Sequence, residues 1–344
     1  MKKMIFAVLA LSAASVFSWA DSSPIKSGSP DEYVVEKGDT LWDISDMFLD
    51  APWQWPEIWH ANPDIENPHL IFPGDVVRLV YIDGEPRLTV DRTVKMAPGD
   101  AKLEPQVRVL SAEDAIPAVS LDKIASYLSR SRIVTPDEVE GVPYILAGTK
   151  NRVITGKGDT VYARGEVPDG TSNYDVFRQG ETFIDEESDE FLGIHAIGIG
   201  GVRVDDTEGD VIRLEVTRSE QELRAGDILL PNAERAVDSI FYPSAPDFPI
   251  EAKVLAVEGG VTQIGKMDVM IIDKGDRDGV QVGNVFEAFV QGETILDRVS
   301  GDRVTLMDER AGLVMVFRTF DKLSFALVME ATRPMAVGDK LRNP

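Results

Sequence analysis

The chain has no cysteine among its 344 residues. That excludes disulfides, cysteine nucleophiles, thiolate metal sites and an acylated cysteine behind a leader. Histidine is nearly as scarce. His60, His69 and His195 are the only three, and no HExxH or comparable ligand spacing connects them. Positive charge is also short: 35 Lys and Arg face 59 Asp and Glu, for a formal net charge of −24. That balance argues against a nucleic-acid partner and against charge-driven adhesion to anionic lipid. Beyond the first 20 residues no apolar run is long enough to span a bilayer. The fold must therefore rest on packing, which suffices at this length.

What is present starts at the N-terminus. Met1-Lys2-Lys3, an apolar run over 4–17 and Ser18-Trp19-Ala20 have the basic, apolar and small-residue order of a signal peptide. Residues 1–20 are expected to be removed, which predicts an exported protein with a net charge nearer −26. A flexible leader rich in Ser, Pro and Gly follows over 21–31.

The chain is organised around residues 33–79. Residues 32–36 have a short strand pattern, and Lys37-Gly38-Asp39 makes a turn. Asp39 or Thr40 caps a helix, with Asp43 at the capping-box distance from Thr40. Leu41, Ile44 and Phe48 recur at helical intervals. Pro52 suits the first turn of a second helix, with Trp55, Ile58 and Trp59 on its buried face. Asn62-Pro63 and Asn67-Pro68 are breakers, and Pro73-Gly74-Asp75 turns the chain into a strand over 76–79. The order is β-α-α-β.

Lys37-Gly38-Asp39-Thr40-Leu41-Trp42, then Asn62-Pro63, then Asn67-Pro68 with Leu70-Ile71 and Pro73-Gly74-Asp75, resembles a LysM module. The bulky Pro- and Trp-rich segment over 50–56 and the exit strand running on into Val80-Tyr81-Ile82 depart from the usual pattern. The resemblance implies binding of N-acetylglucosamine-containing glycan, peptidoglycan or chitin, in a groove between two loops. It places Gly38, Asp39, Thr40, Leu41, Trp42, Trp53, Asn67, Pro68, Leu70, Ile71 and Pro73 at that groove. Indole rings can stack on a sugar, and backbone amides can bond an N-acetyl group. The same residues have plainer uses: Gly38 and Gly74 as turn residues, Asp39 as a helix cap, Trp55 and Trp59 as core. Because every tryptophan of the mature chain lies between Trp42 and Trp59, fluorescence is expected to report on this module and little else.

The module is assigned to 32–82, and 83–141 is read as a linker containing a helix over 120–130, where Leu121, Ile124, Ala125 and Leu128 form a stripe. From about residue 142 short β runs are broken by Gly, Asp and Asn. A second Lys-Gly-Asp-Thr at 157–160 precedes no helical pattern and is read as a β-turn. Two β domains are expected, 142–241 and 250–344, joined by the Pro-rich stretch at 242–249. They look duplicated. Gln179-Gly180-Glu181-Thr182 recurs as Gln291-Gly292-Glu293-Thr294, and Ala225-Gly226-Asp227 as Val337-Gly338-Asp339, each 112 residues on. Leu214-Glu215-Val216-Thr217-Arg218 echoes Met329-Glu330-Ala331-Thr332-Arg333 at 115, which requires compensating indels. Chance recurrence of β-turn chemistry is the alternative. The fold class is α+β and multidomain, a βααβ module followed by mainly-β, barrel-like units.

The run 268–283 with 309–328 resembles the C-terminal region of type IV pilus secretin-associated LysM proteins and, more loosely, the C-terminal domain of a flagellar T-ring assembly protein. The resemblance implies a periplasmic, non-enzymatic anchor joining peptidoglycan to an outer-membrane secretin, with no cofactor or metal. A LysM-targeted wall hydrolase and a general or flagellar envelope scaffold are the alternative readings.

Overall fold

The computed structural model describes residues 25–59, 70–91, 116–118, 131–149, 155–168, 171–232, 242–258 and 263–344. The signal-peptide segment, the helix expected over 120–130, and His60, His69, Asn67 and Pro68 lie outside them.

The N-terminal module comprises β1 (Glu32–Val34), α1 (Leu41–Phe48), α2 (Trp55–Ile58), β2 (Val76–Ile82) and β3 (Glu85–Asp91). Thr40 caps α1, its hydroxyl accepting from the Asp43 N–H. The reciprocal bond of the expected box runs from the Thr40 hydroxyl to the Asp43 carboxylate. Pro52 opens a 3-10 turn (Pro52–Gln54) that feeds α2. The three-stranded sheet has the order β1-β2-β3. Its last strand falls within 83–141, the stretch read as linker. Asp83 and Gly84 both have positive φ, the two-residue hairpin geometry favoured by Asp-Gly, and this folds 85–91 back onto β2.

Next come β4 (Ser131–Val134), α3 (Pro136–Val139), β5 (Tyr144–Gly148), β6 (Thr160–Arg164), β7 (Asn173–Ile184), β8 (Phe191–Glu208), β9 (Val211–Ser219) and β10 (Ile228–Pro231). The last unit holds β11 (Glu251–Val257), β12 (Val269–Ile272), β13 (Val285–Val290), β14 (Thr294–Leu296), β15 (Arg303–Thr305), β16 (Glu309–Thr319), β17 (Ser324–Ala331) and β18 (Lys340–Arg342). It is a closed barrel of order β11-β12-β17-β16-β13-β18, with β14 and β15 as a separate hairpin. In the middle unit the β8–β9 pairing closes β5-β6-β9-β8-β7-β10 into a ring of the same order, with β4 added along β8.

The two rings share their register. β13 pairs Glu287 with Arg342, and β7 pairs Asp175 with Leu230, each residue 112 positions earlier. β16 pairs Leu313 with Glu330 where β8 pairs Gly201 with Arg218, and a bulge follows at the same place in both. The offset of 115 expected for Leu214 is thus corrected. Val204 pairs with Leu214 as Val316 pairs with Ala326, so the partner of Leu214 is Ala326 and no indel intervenes. A shorter offset of 109 holds in the first two strands, where Ile145 opposite Ala163 answers Val254 opposite Ile272. A longer connection bearing a 3-10 turn (Asp276–Asp278) absorbs the difference.

One turn recurs through all three units. In Glu36-Lys37-Gly38-Asp39 the Asp39 carboxylate accepts the Glu36 N–H at 2.8 Å, and Gly38 supplies the positive φ. Asp75, Asp159, Asp227 and Asp339 each accept the N–H three residues back in the same way. The second Lys-Gly-Asp-Thr, at 157–160, is such a turn opening β6. Asp268 repeats it with Met267 at φ 74 in place of glycine.

Candidate functional site

The two loops of the N-terminal module are bound to each other through backbone. Gly74 N–H donates to the Val35 carbonyl at 2.8 Å, and Val35 N–H donates to that of Asp75 at 2.9 Å. Asp39 is fixed in its loop by the Glu36 N–H and by the Tyr33 hydroxyl, which donates to it at 2.9 Å. Partial burial first, and then the Asp39 carboxylate, push the Tyr33 phenol up to about 12. Tyr33 therefore stays a neutral donor and Asp39 serves the turn.

Between the loops the open backbone groups are donors on one side and an acceptor on the other. The first residues of a helix have N–H groups without intrahelical partners. In α1 the Asp43 N–H goes to the Thr40 side chain and the Ile44 N–H to the Thr40 carbonyl, which leaves Leu41 and Trp42. Across from them stands the Ile71 carbonyl. All three groups are engaged by Ile116-Pro117-Ala118. Leu41 N–H donates to the Pro117 carbonyl and Trp42 N–H to that of Ala118, both at 3.1 Å, while Ile116 N–H donates to Ile71 at 2.7 Å. Ile116 and Ala118 are buried in the module core beside Leu41, Ile71 and Trp55, and Pro117 is exposed. The segment carries no glycine, aromatic or charge, so nothing in its sequence marks it for this position.

Residues 33–80 match the family model described as LysM domain. The N-terminal module is a LysM domain. A curated relative, the "Uncharacterized protein YqbP" of Bacillus subtilis (strain 168), is 38% identical over 66 residues, which is 16% of this chain and 30% of that protein. The chain thus spans under a third of that relative's length.

Of the expected groove residues, Gly38 and Pro73 are exposed, and Asp39 and Leu70 are half-buried. Thr40, Leu41 and Ile71 are buried and offer backbone only. Trp42 and Trp53 were expected as stacking platforms at the groove edge; the structure buries Trp42 and leaves Trp53 half-buried. Trp42 is 4% exposed and lies in a cluster with Val269, Ile271, Leu313, Met315 and Leu327 of the last barrel, against which Trp53 also packs. The apolar outer face of that barrel recruits both indoles, because burying them there removes large apolar surfaces from water. Trp55 and Trp59 meet edge to face at 6.2 Å inside the LysM domain, the packing role expected for them.

A second polar constellation lies at the seam between the two barrels. The Ser131 hydroxyl donates to Glu258 Oε1 at 2.5 Å, and His195 Nε2 stands 3.0 Å from Glu258 Oε2. The lone histidine of the β region is buried between Phe183 and Phe325. The residue types match a hydrolase triad but the order does not. The carboxylate occupies the centre, so the imidazole is not placed to take the serine proton. The group joins β4 and β8 to Glu258, the residue that follows β11. Its sequence signal is absent, since Ser131, His195 and Glu258 lie far apart in unrelated contexts.

Proposed function

We propose that this protein is a non-enzymatic, peptidoglycan-binding protein of the cell envelope, exported to the periplasm by residues 1–20. The observation that carries the reading is the loop pair of the LysM domain. The Leu41 and Trp42 N–H donors stand on one side there and the Ile71 carbonyl acceptor on the other, and the N-acetyl group of N-acetylglucosamine carries both a carbonyl and an N–H. Gly38, Asp39, Leu70 and Pro73 rim that groove, and Asn67 and Pro68 belong to its second loop by sequence. With a strongly acidic chain and an anionic wall, binding rests on hydrogen bonds and shape. It should survive high salt, with a Kd on the order of 10 μM to 1 mM for one shallow groove. The full mature chain should pellet with purified sacculi and be released by millimolar soluble N-acetylglucosamine oligomer. Recovery in the supernatant with sacculi present would sink the glycan reading, and clearing of the suspension would favour the hydrolase.

The β region supplies the second half of an anchor. By its resemblance to secretin-associated LysM proteins, the partner is the outer-membrane secretin of a type IV pilus machine. Many weak LysM contacts around a ring-shaped partner would sum through effective concentration. The surface best suited to a protein partner is the β14–β15 hairpin, where Leu296, Val299 and Met307 are exposed beside Arg298 and Arg303. Co-purification of the secretin from detergent-solubilised envelopes, lost when Leu296 and Val299 become Asp, is the expected result. Recovery of flagellar basal-body proteins instead would favour the flagellar scaffold.

A further inference from the structure

The segment that fills the space between the LysM loops comes from the chain itself. Ile116-Pro117-Ala118 gives one N–H to Ile71 and receives two N–H bonds from Leu41 and Trp42. These are the polarities an N-acetyl group would use, its N–H toward Ile71 and its carbonyl toward the start of α1. Ile116 and Ala118 point into the core while Pro117 points out, so the segment lies in the slot as an extended strand would. We propose that residues 116–118 are an internal plug that competes with glycan for the LysM groove and so weakens wall binding by the unsubstituted chain without abolishing it.

This inference rests on the glycan reading of the groove and adds regulation to it. The three backbone bonds cannot serve plug and sugar together, so occupancy is exclusive. Among the described residues the plug is held by those three backbone bonds and by the buried Ile116 and Ala118 side chains. A ligand that must wait for an open groove binds with an apparent affinity reduced by the open fraction. Loss of the plug should raise apparent affinity without touching the groove. Because the segment follows the LysM domain in sequence and precedes the barrels, tension or partner binding in the β region could draw it out. Wall binding would then be coupled to engagement of the machine.

The test uses the full mature chain and a soluble N-acetylglucosamine oligomer. Ile116→Asp places a carboxylate where an apolar side chain was buried and should expel the plug. Ala118→Glu does so independently and serves if the first variant folds poorly, with near-ultraviolet circular dichroism as the check. Either variant should bind the oligomer at least tenfold more tightly than the unsubstituted chain. In the unsubstituted chain, saturating oligomer should speed hydrogen exchange at the Ile116 amide while slowing it at Leu41 and Trp42. Equal affinity in all three proteins, with Ile116 still protected in the complex, would overturn the plug and leave glycan binding intact. No binding by any of the three, all folded, would remove the glycan reading and with it the gate.

Discussion

The two barrels share strand order, register and bulges, yet their outer faces are opposites. On the last barrel Val269, Ile271, Leu313, Met315, Phe317, Phe325 and Leu327 point outward and are buried. At the corresponding positions of the middle barrel stand Thr160, Tyr162, Gly201, Arg203, Asp205, Arg213 and Glu215. There Arg203 pairs with Glu215, and Arg213 with Asp205, in solvent. One ladder thus supports either a wet wall or a dry one. What differs is the cover. The last barrel is overlaid by Trp42 and Trp53 of the LysM domain, by Ile133 of β4, and by Phe183 and Leu192 from the β7–β8 hairpin.

The hairpins repeat the contrast. In β7–β8 Asp185 organises the tip by accepting the Glu187 and Ser188 N–H groups. Asp297 does the same for Val299 in the β14–β15 connection, and each also accepts its serine hydroxyl, from Ser188 or Ser300. The first hairpin is docked. Glu190 is gripped by Arg277 at 2.6 and 2.8 Å and by Lys322 at 2.7 Å, and Phe183 is buried. The second hairpin has Ile295 in the place of Phe183, 44% exposed. A duplicated unit has kept its docking arm, and among the described residues the first arm is seated while the second is exposed.

Exchanging residues between the barrels should break the comparison most strongly at the covered face. Leu327→Glu, which copies Glu215, puts a carboxylate under the LysM domain. It should destabilise by about 3–5 kcal/mol in chemical denaturation. The converse, Glu215→Leu, should stay within about 0.5 kcal/mol because that face is wet. Equal effects would mean the two faces are not differently covered.

A comparable loss should follow from Arg178→Met in the middle barrel. Its guanidinium is the bidentate partner of the buried Asp227 carboxylate, at 2.8 and 2.9 Å. An uncompensated buried charge costs about 3–5 kcal/mol. Position 290 of the last barrel is Val, and Asp339 there is held by backbone N–H groups instead, so Val290→Met should change stability little.

Glycine-to-alanine exchanges sharpen what the barrels share. A Cβ at Gly312 would lie 1.9 Å from the Glu330 carbonyl oxygen, and one at the equivalent Gly200 would lie 2.3 Å from that of Arg218. Backbone is the obstacle in both, so each substitution should cost about 1–3 kcal/mol in thermal denaturation. A clear cost in one barrel alone would argue against equivalent crossings.

The smallest effect concerns pH. Hydrogen bonds from Arg277 and then Lys322 hold the Glu190 carboxyl down to about 2, from an ordinary 4.5. A depressed carboxylate favours the docked form most fully above about pH 4.5. That contribution fades as pH falls toward 2. Glu190→Gln should therefore remove part of the acid sensitivity of docking by lowering neutral-pH stability slightly towards its low-pH value, with the variant and the unsubstituted chain converging near pH 2. Tryptophan fluorescence is a suitable readout. Contrary to the expectation that it is blind to the β region, Trp42 and Trp53 lie against the last barrel. An unchanged acid transition would place the sensitivity in another group.

Much of this was legible in the residues. The Gly-Asp turns, the α1 cap, the strands and the duplication follow from local chemistry that acts within a few positions. Even the wet and dry faces are written as period: Ile212-Arg213-Leu214-Glu215-Val216 alternates, while Phe325-Ala326-Leu327-Val328-Met329 is apolar throughout. The strand β8 runs on through Gly200-Gly201, although glycine was read as breaking the β runs, because those glycines admit a close neighbouring strand and do not end the ladder. Tertiary structure alone decided which surfaces meet. An apolar face declares that it will be covered but not by what, so the sequence could not say that Trp42 would lie on a barrel. Nor could it say that Ile116 to Ala118, a segment with no pattern of its own, would satisfy the free amides at the start of α1. Backbone donors and acceptors are the same in every residue, and only the path of the chain through space determines which of them pair.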